Sequence, residues 1–111
     1  MALIHIPAGK GDWIDFGVEG VDLQFTTFGK SASSLPMKCG FYHFRVSSSI
    51  DFDYQYDEFK YVVVGEMMLD VRGDRIYEVK QGDCLLIDKG TFIRYSTHSM
   101  CMMYYVSQVL A

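Results

Sequence analysis

The sequence predicts a single all-β domain, a sandwich or a barrel, and three observations carry that prediction. Helical periodicity is nearly absent. Short apolar stretches are instead broken by Gly, Asp and Ser roughly every eight to twelve residues, the cadence of a closed or stacked sheet. A tight hairpin signal, Arg72-Gly73-Asp74, joins two strand-like runs, since Gly73 can take the positive φ that such turns need. With 111 residues, the chain is long enough to bury about two-thirds of its unfolded surface around one core. No linker or composition shift divides it, so one domain covers 1–111.

The elements follow in order. Residues 21–28 alternate as V-D-L-Q-F-T-T-F and end at Gly29. A small-residue loop fills 30–36, a strand is expected over 37–46, and serines at 47–49 break it. Residues 59–64 are almost wholly apolar; Gly65 is expected to turn the chain, and 66–71 to continue as a strand. After the Gly73 hairpin, 75–79 returns and Gly82-Asp83 turns. A strand over 84–87, a turn at Asp88-Lys89-Gly90, and strands over 92–96 and 100–106 complete the set.

Composition narrows the function classes. Half the residues are hydrophobic and 15% are aromatic, which excludes a disordered chain. A net charge of −4 argues against a nucleic-acid partner, which wants a basic stripe. No apolar run approaches the roughly 20 residues of a membrane span, and the first residues lack the pattern of a secretory signal. A cytoplasmic protein is expected. Cys39, Cys84 and Cys101 sit in apolar runs without metal spacing, so reduced, buried thiols are expected.

Two strands are apolar on both faces: Y-V-V-V over 61–64 and C-M-M-Y-Y-V over 101–106. A solvent-facing antiparallel strand alternates instead. With no helix in the sequence to cover the second face, a second copy of the chain is the simplest cover, and a homodimer is expected.

Two motifs are more specific. The first is Y-D-E-F-K-Y-V-V-V-G, with Glu58 and then Gly65. The second is G-D-C-L-L-I-D-K-G-T-F-I, from Gly82 to Ile93. Around the Gly73 hairpin they resemble the two motifs of a cupin, which implies a jelly-roll barrel, the double-stranded β-helix. The resemblance covers 50–106. It is closer still to the EutQ branch of ethanolamine-utilisation cupins. That branch shares an aromatic at Phe52, Y-D-E at Tyr56-Asp57-Glu58, and K-G at Lys89-Gly90. It also shares Ile93, Ser96-Thr97 and Tyr105-Val106. A cupin proline before K-G is Asp88 here. The resemblance implies a small organic metabolite in the barrel, in ethanolamine or aldehyde metabolism.

The same resemblance places Phe52, Tyr54, Glu58 and Ile93 toward the cavity. Most cupins carry metal-binding histidines at the positions of Phe52, Tyr54 and Ile93, or of Asp51 and Asp53 if the spacing is one residue longer. No tightly bound transition metal is therefore expected. Asp51, Asp53, Glu58 and His43 offer at most an oxygen-rich set for weak Mg²⁺ or Mn²⁺ binding. Period-two alternation adds Tyr95 beside Ile93, and Tyr56 on the approach to Glu58.

Glu58 is the first catalytic candidate, because a carboxylate in an apolar barrel must pair, bind or rise in pKa. Its structural alternative is a simple pairing with Lys60, which alternation puts on the same face. Tyr56 is the second candidate. Tyr54, Tyr95, Phe52, Ile93 and His43 are candidate ligand contacts. The tyrosines can donate phenolic protons to a ligand oxygen or simply fill the barrel. His43 is either a cavity base or a hydrogen-bonded core residue. Alternatives to a metabolite-binding cupin are a small lyase, isomerase or kinase using Glu58 with tyrosines or His43, and a structural dimer with a filled barrel. No G-x-x-x-x-G-K-[ST] phosphate loop supports the kinase.

Overall fold

A computed structural model of the chain describes residues 3–9, 12–27, 31, 36–45 and 49–109. It contains nine strands and, among the described residues, no helix. In chain order they are β1 (Ile14–Asp15), β2 (Leu23–Phe25), β3 (Met37–Arg45), β4 (Ile50–Asp53), β5 (Glu58–Val71), β6 (Ile76–Lys80), β7 (Cys84–Ile87), β8 (Phe92–Ser96) and β9 (Met100–Gln108). All pair antiparallel into one curled sheet, β1-β2-β3-β9-β5-β8-β4, with β6 and β7 also on β5. The all-β fold expected from the cadence is the one observed. The breaks expected at Gly29, over 30–36 and over 47–49 lie largely outside the described residues.

β5 organises the molecule. Its first half pairs with β9 and β7, and its second half with β8 and β6. The sequence suggests that Gly65 turns the chain; instead the strand runs straight through it. A bulge between Val62 and Val64 changes which residues face inward. Glu58, Lys60 and Val62 are buried before it, and Met67 and Leu69 after it. A bulge adds one unpaired residue and sharpens local twist, which lets one strand serve both halves of a curled sheet. Gly65 is required there. Its φ is +88°, and a Cβ would stand 2.0 Å from the Met100 carbonyl oxygen.

The core lies on the inner face: Leu23, Tyr42, Phe44, Ile50, Tyr54, Val62, Met67, Leu69, Val79, Ile87, Ile93, Tyr95, Cys101, Met103 and Tyr105. Aromatic rings knit its centre. Phe52 stands edge-on to Phe16, Tyr42 and Tyr95 and stacks on Tyr54. The two sequence motifs are tied to each other by backbone bonds. Gly90 N–H donates to the Tyr54 carbonyl at 2.7 Å, and Tyr54 N–H to the Thr91 carbonyl at 3.0 Å. Asp57 accepts from the Lys89 N–H at 2.8 Å. The shared Y-D-E and K-G residues thus brace the end of the barrel where Glu58 begins β5.

The cysteines depart from expectation. Cys101 is buried and Cys39 partly so, but Cys84 is exposed at the start of β7. An apolar run in a strand places alternate residues outside, whatever their polarity.

Candidate functional site

Three inward neighbours set the site on β5 and β9. Alternation from Glu58 puts Lys60 on the same face, and cross-strand pairing brings Ser107 directly opposite Glu58. Glu58 is 5% exposed and Lys60 is 0% exposed. Lys60 Nζ stands 3.5 Å from Glu58 Oε2, inside ion-pair range but without hydrogen-bond alignment. Neither Lys60 Nζ nor Ser107 Oγ has a hydrogen-bond partner among the described residues.

Aromatic faces surround the ammonium. Nζ lies 4.2 Å from the Tyr42 ring centroid, 5.0 Å from Tyr95 and 5.6 Å from Phe52. Such faces attract a cation through their quadrupole and replace part of its lost hydration. Tyr54 and Tyr95 share a buried hydrogen bond between their hydroxyls.

Burial dominates the electrostatics. Desolvation raises the Glu58 carboxyl above its ordinary value, while the neighbouring Lys60 opposes it. Desolvation lowers the Lys60 amine, and the Glu58 charge opposes that shift. Both partners are pushed toward neutrality, the expected result when two charges leave water together. Burial also raises the hydroxyls of Tyr42, Tyr54 and Tyr95, with the Glu58 carboxylate adding to the effect. The cluster therefore holds its protons tightly everywhere except on Lys60.

The residues singled out in the sequence divide into two groups. Phe52, Tyr54, Glu58 and Tyr95 converge on one inner cluster. Tyr56 is half-buried at its edge, with Lys38 Nζ 5.9 Å over its ring. Ile93 is buried and lines a neighbouring cavity. His43 does not join them. It shares the opposite face of β3 from Tyr42 and Phe44, where its ring meets Trp13 edge-on at 6.0 Å. Odd-numbered β3 residues point outward, so His43 shares the outer face with Cys39 and Phe41 and is neither a cavity base nor a core residue.

The weak oxygen-rich metal set is not assembled either. Asp51 points outward and makes a two-point ion pair with Arg94, at 2.8 and 3.2 Å. That pairing holds its carboxyl below the ordinary value. Asp53 is exposed on the same side. Among the described residues, no three His, Cys, Asp or Glu side chains gather to hold a metal. The inner donor set does not fit one: Phe52 and Ile93 offer no lone pair, and a lysine ammonium beside Glu58 repels a second cation.

Lys60, expected from the sequence as a structural partner of Glu58, and Ser107, not singled out there, complete the buried polar set around Glu58. Alternation from Glu58 is signal enough for the first, and alternation from Tyr105 for the second. What the sequence does not show is how completely Lys60 is enclosed.

A cavity of about 590 Å³ is walled by Leu69, Val79, Leu85, Ile87 and Ile93, among others, and neither Glu58 nor Lys60 lines it. Leu85 is the cross-strand partner of Lys60, and Ile87 of Glu58. Asp74, Asp83 and Asp88 also line the cavity.

Comparison with known proteins identifies the family. The family described as ethanolamine utilisation protein EutQ matches residues 18–109. The solved structure of ethanolamine utilization protein Q from Salmonella typhimurium is 26% identical. The match covers 78% of this chain and 69% of that one, with a TM-score of 0.68. EutQ from Clostridium difficile is 24% identical over 87% and 75% of the two chains, TM-score 0.73. The polyketide cyclase RemF from Streptomyces resistomycificus shares the fold at 14% identity, over 96% and 80%, TM-score 0.79. No curated protein sequence matches. With the family match running from before β2 to the end of β9, the chain is a single-domain cupin and belongs to the EutQ family.

Proposed function

We propose that this chain binds a small organic metabolite of ethanolamine or aldehyde metabolism, without a metal, in the cytoplasm and as a homodimer. The observation that carries this reading is the buried Glu58–Lys60 pair, whose amine makes no well-aligned hydrogen bond, together with a cavity walled by their cross-strand partners Leu85 and Ile87. A buried donor without an acceptor is costly, about 1–3 kcal/mol and more for a charge. A ligand oxygen seated against Leu85, Ile87 and Ile93 supplies that acceptor. Glu58 and the tyrosines then set orientation, as a few polar groups do in most apolar sites.

The homodimer rests on the outer face of β3, β9, β5 and β7. Tyr61, Val64, Met37 and Leu86 are exposed there, Leu86 at 86%. Phe41, Met102, Tyr104 and Val106 lie half-buried between them. A depression of about 330 Å³ bordered by Met37, Phe59, Leu86 and Val106 marks the same face. A contiguous apolar patch on a sheet marks an interaction surface, and a self-complementary one closes as a dimer.

The binding reading is tested by calorimetry and thermal shift with short amino alcohols, aldehydes and carboxylates. Binding by the native chain and its loss in Glu58→Gln/Lys60→Met support it. That double variant keeps a neutral, folded interior. Undiminished binding in the folded double variant overturns the assignment of the site.

A further inference from the structure

We propose that residues 12–21 form a hinged strap whose Phe16 ring closes one end of the barrel over Phe52, and that opening of this strap is the route to the buried Lys60 amine. The proposal deepens the reading above by naming how the pair is reached, and it rests on that reading.

The need for a moving part comes from burial. Lys60 is 0% exposed and does not line the cavity walled by Leu85 and Ile87. A ligand atom reaches its Nζ only when a covering side chain moves. Three aromatic rings lie over Nζ. Tyr42 and Tyr95 are buried on β3 and β8, strands that pair along both edges. Phe52 is half-buried on β4, at the end of the sheet. Phe16 rests edge-on against Phe52 at 5.5 Å, and the Phe52 ring centroid stands 5.6 Å from Nζ. Two rings in series thus cover the amine on this side, and Phe16 is the outer one.

The strap is built to move. Of residues 12–20, Phe16 alone is not exposed. β1 is two residues long, lies at the other end of the sheet, and pairs only Ile14 with Phe25 and Asp15 with Gln24. Segments with few buried contacts open locally at far lower cost than core strands. Gly17 and Gly20 carry φ of +82° and +76° just after Phe16. Glycines at such positions can absorb the backbone change of a hinge. Beyond them the chain is fixed, because Asp22 pairs with Arg45 at 2.8 Å and Leu23 is fully buried. The other end is held more loosely. Trp13 is 45% exposed, with its ring 6.5 Å from Phe41 and 6.0 Å from His43 on the outer face. Trp13 and Phe16 therefore grip the sheet from opposite faces, and release of both lets the strap swing about Gly17 and Gly20.

The test locks the strap and reads Lys60. Asp15 and Gln24 face each other across β1 and β2. Asp15→Cys/Gln24→Cys should therefore tie the strap shut when oxidised and free it when reduced. The native chain under the same oxidant controls for Cys39 and Cys84. Cyanate, a small probe of neutral amines, is applied to the folded full chain, and peptide mapping compares Lys60 with the exposed Lys80 and Lys89. Lys60 should react in the reduced chain, at least about tenfold more slowly in the oxidised one, and faster in Phe16→Ala. Lys80 and Lys89 should not change. Hydrogen exchange on the same samples should show the Phe16 amide, bonded to the Leu23 carbonyl at 2.9 Å, opening well before the amides of β5 and β9. Equal labelling of Lys60 in oxidised and reduced chains overturns the proposal. So does an unlabelled Lys60 in every folded form, or labelling that only keeps pace with exchange of β5 and β9. Because the lock is compared with its own reduced form, a Phe16→Ala chain that fails to fold does not block the answer. If short ligands bind the locked and reduced chains equally, the strap fails as the route while the binding reading stands. If no ligand binds either form, the binding reading fails, and the labelling of Lys60 still decides the strap.

Discussion

The inner and outer faces of β5 and β9 invert the usual rule. The buried face carries the charges, Glu58 and Lys60, together with Ser107. The uncovered face carries Tyr61, Val64, Met102 and Tyr104. Apolar character alone therefore says little about which face of these strands lies inside. Buried charge without full pairing points to chemistry, because it survives only with compensation. Exposed apolar area points to a partner, because water penalises it.

Breaking the inner face should have the largest effect. Glu58→Ala leaves Lys60 buried and unpaired, which should cost about 3–5 kcal/mol in urea denaturation. Glu58→Gln/Lys60→Met should recover most of that, so a double-mutant cycle should show strong coupling. Additive losses would mean that the pair does not interact.

The outer face is tested by charge. Met103 and Tyr105 point inward, so Met103→Glu should unfold the chain. Tyr104→Glu, one residue away on the other face, should leave it folded and monomeric in sedimentation. A native chain that is already monomeric at micromolar concentration would remove the partner from this picture.

The bulge that separates the two inner faces of β5 is next. Gly65→Ala combines a positive φ with a backbone clash and should cost at least about 1–3 kcal/mol by denaturation.

A pH series sharpens the inner face further. Tyr42, Tyr54 and Tyr95 hold their protons more tightly folded than unfolded. Their contribution is fully present below about pH 10, the unfolded value, and is lost as pH rises through the folded values. Stability should fall with alkali, and Tyr95→Phe should flatten that fall. The smallest effect is expected from chelation. Elemental analysis should find no stoichiometric iron, copper or zinc, and a chelator should leave the melting temperature unchanged.

The sequence carried the strand cadence, the Gly73 hairpin, both motifs and the inward set Phe52, Tyr54, Glu58, Ile93 and Tyr95. The cadence and the hairpin follow from local rules, because turn residues fix where strands end; the inward set came from the cupin resemblance, with alternation adding Tyr95. It also paired Lys60 with Glu58, for the same reason. Tertiary structure decided the rest. The bulge at β5 shifted the alternation from even to odd positions, and only cross-strand register reveals such a shift. Curling of the sheet decided that the face of β3 carrying His43 is the outer one, since two faces of a strand are equivalent until something closes over one of them. Closure likewise turned Lys60 from a neighbour in sequence into an amine sealed among aromatic rings. Enclosure is a property of many strands at once, and no single stretch of residues encodes it.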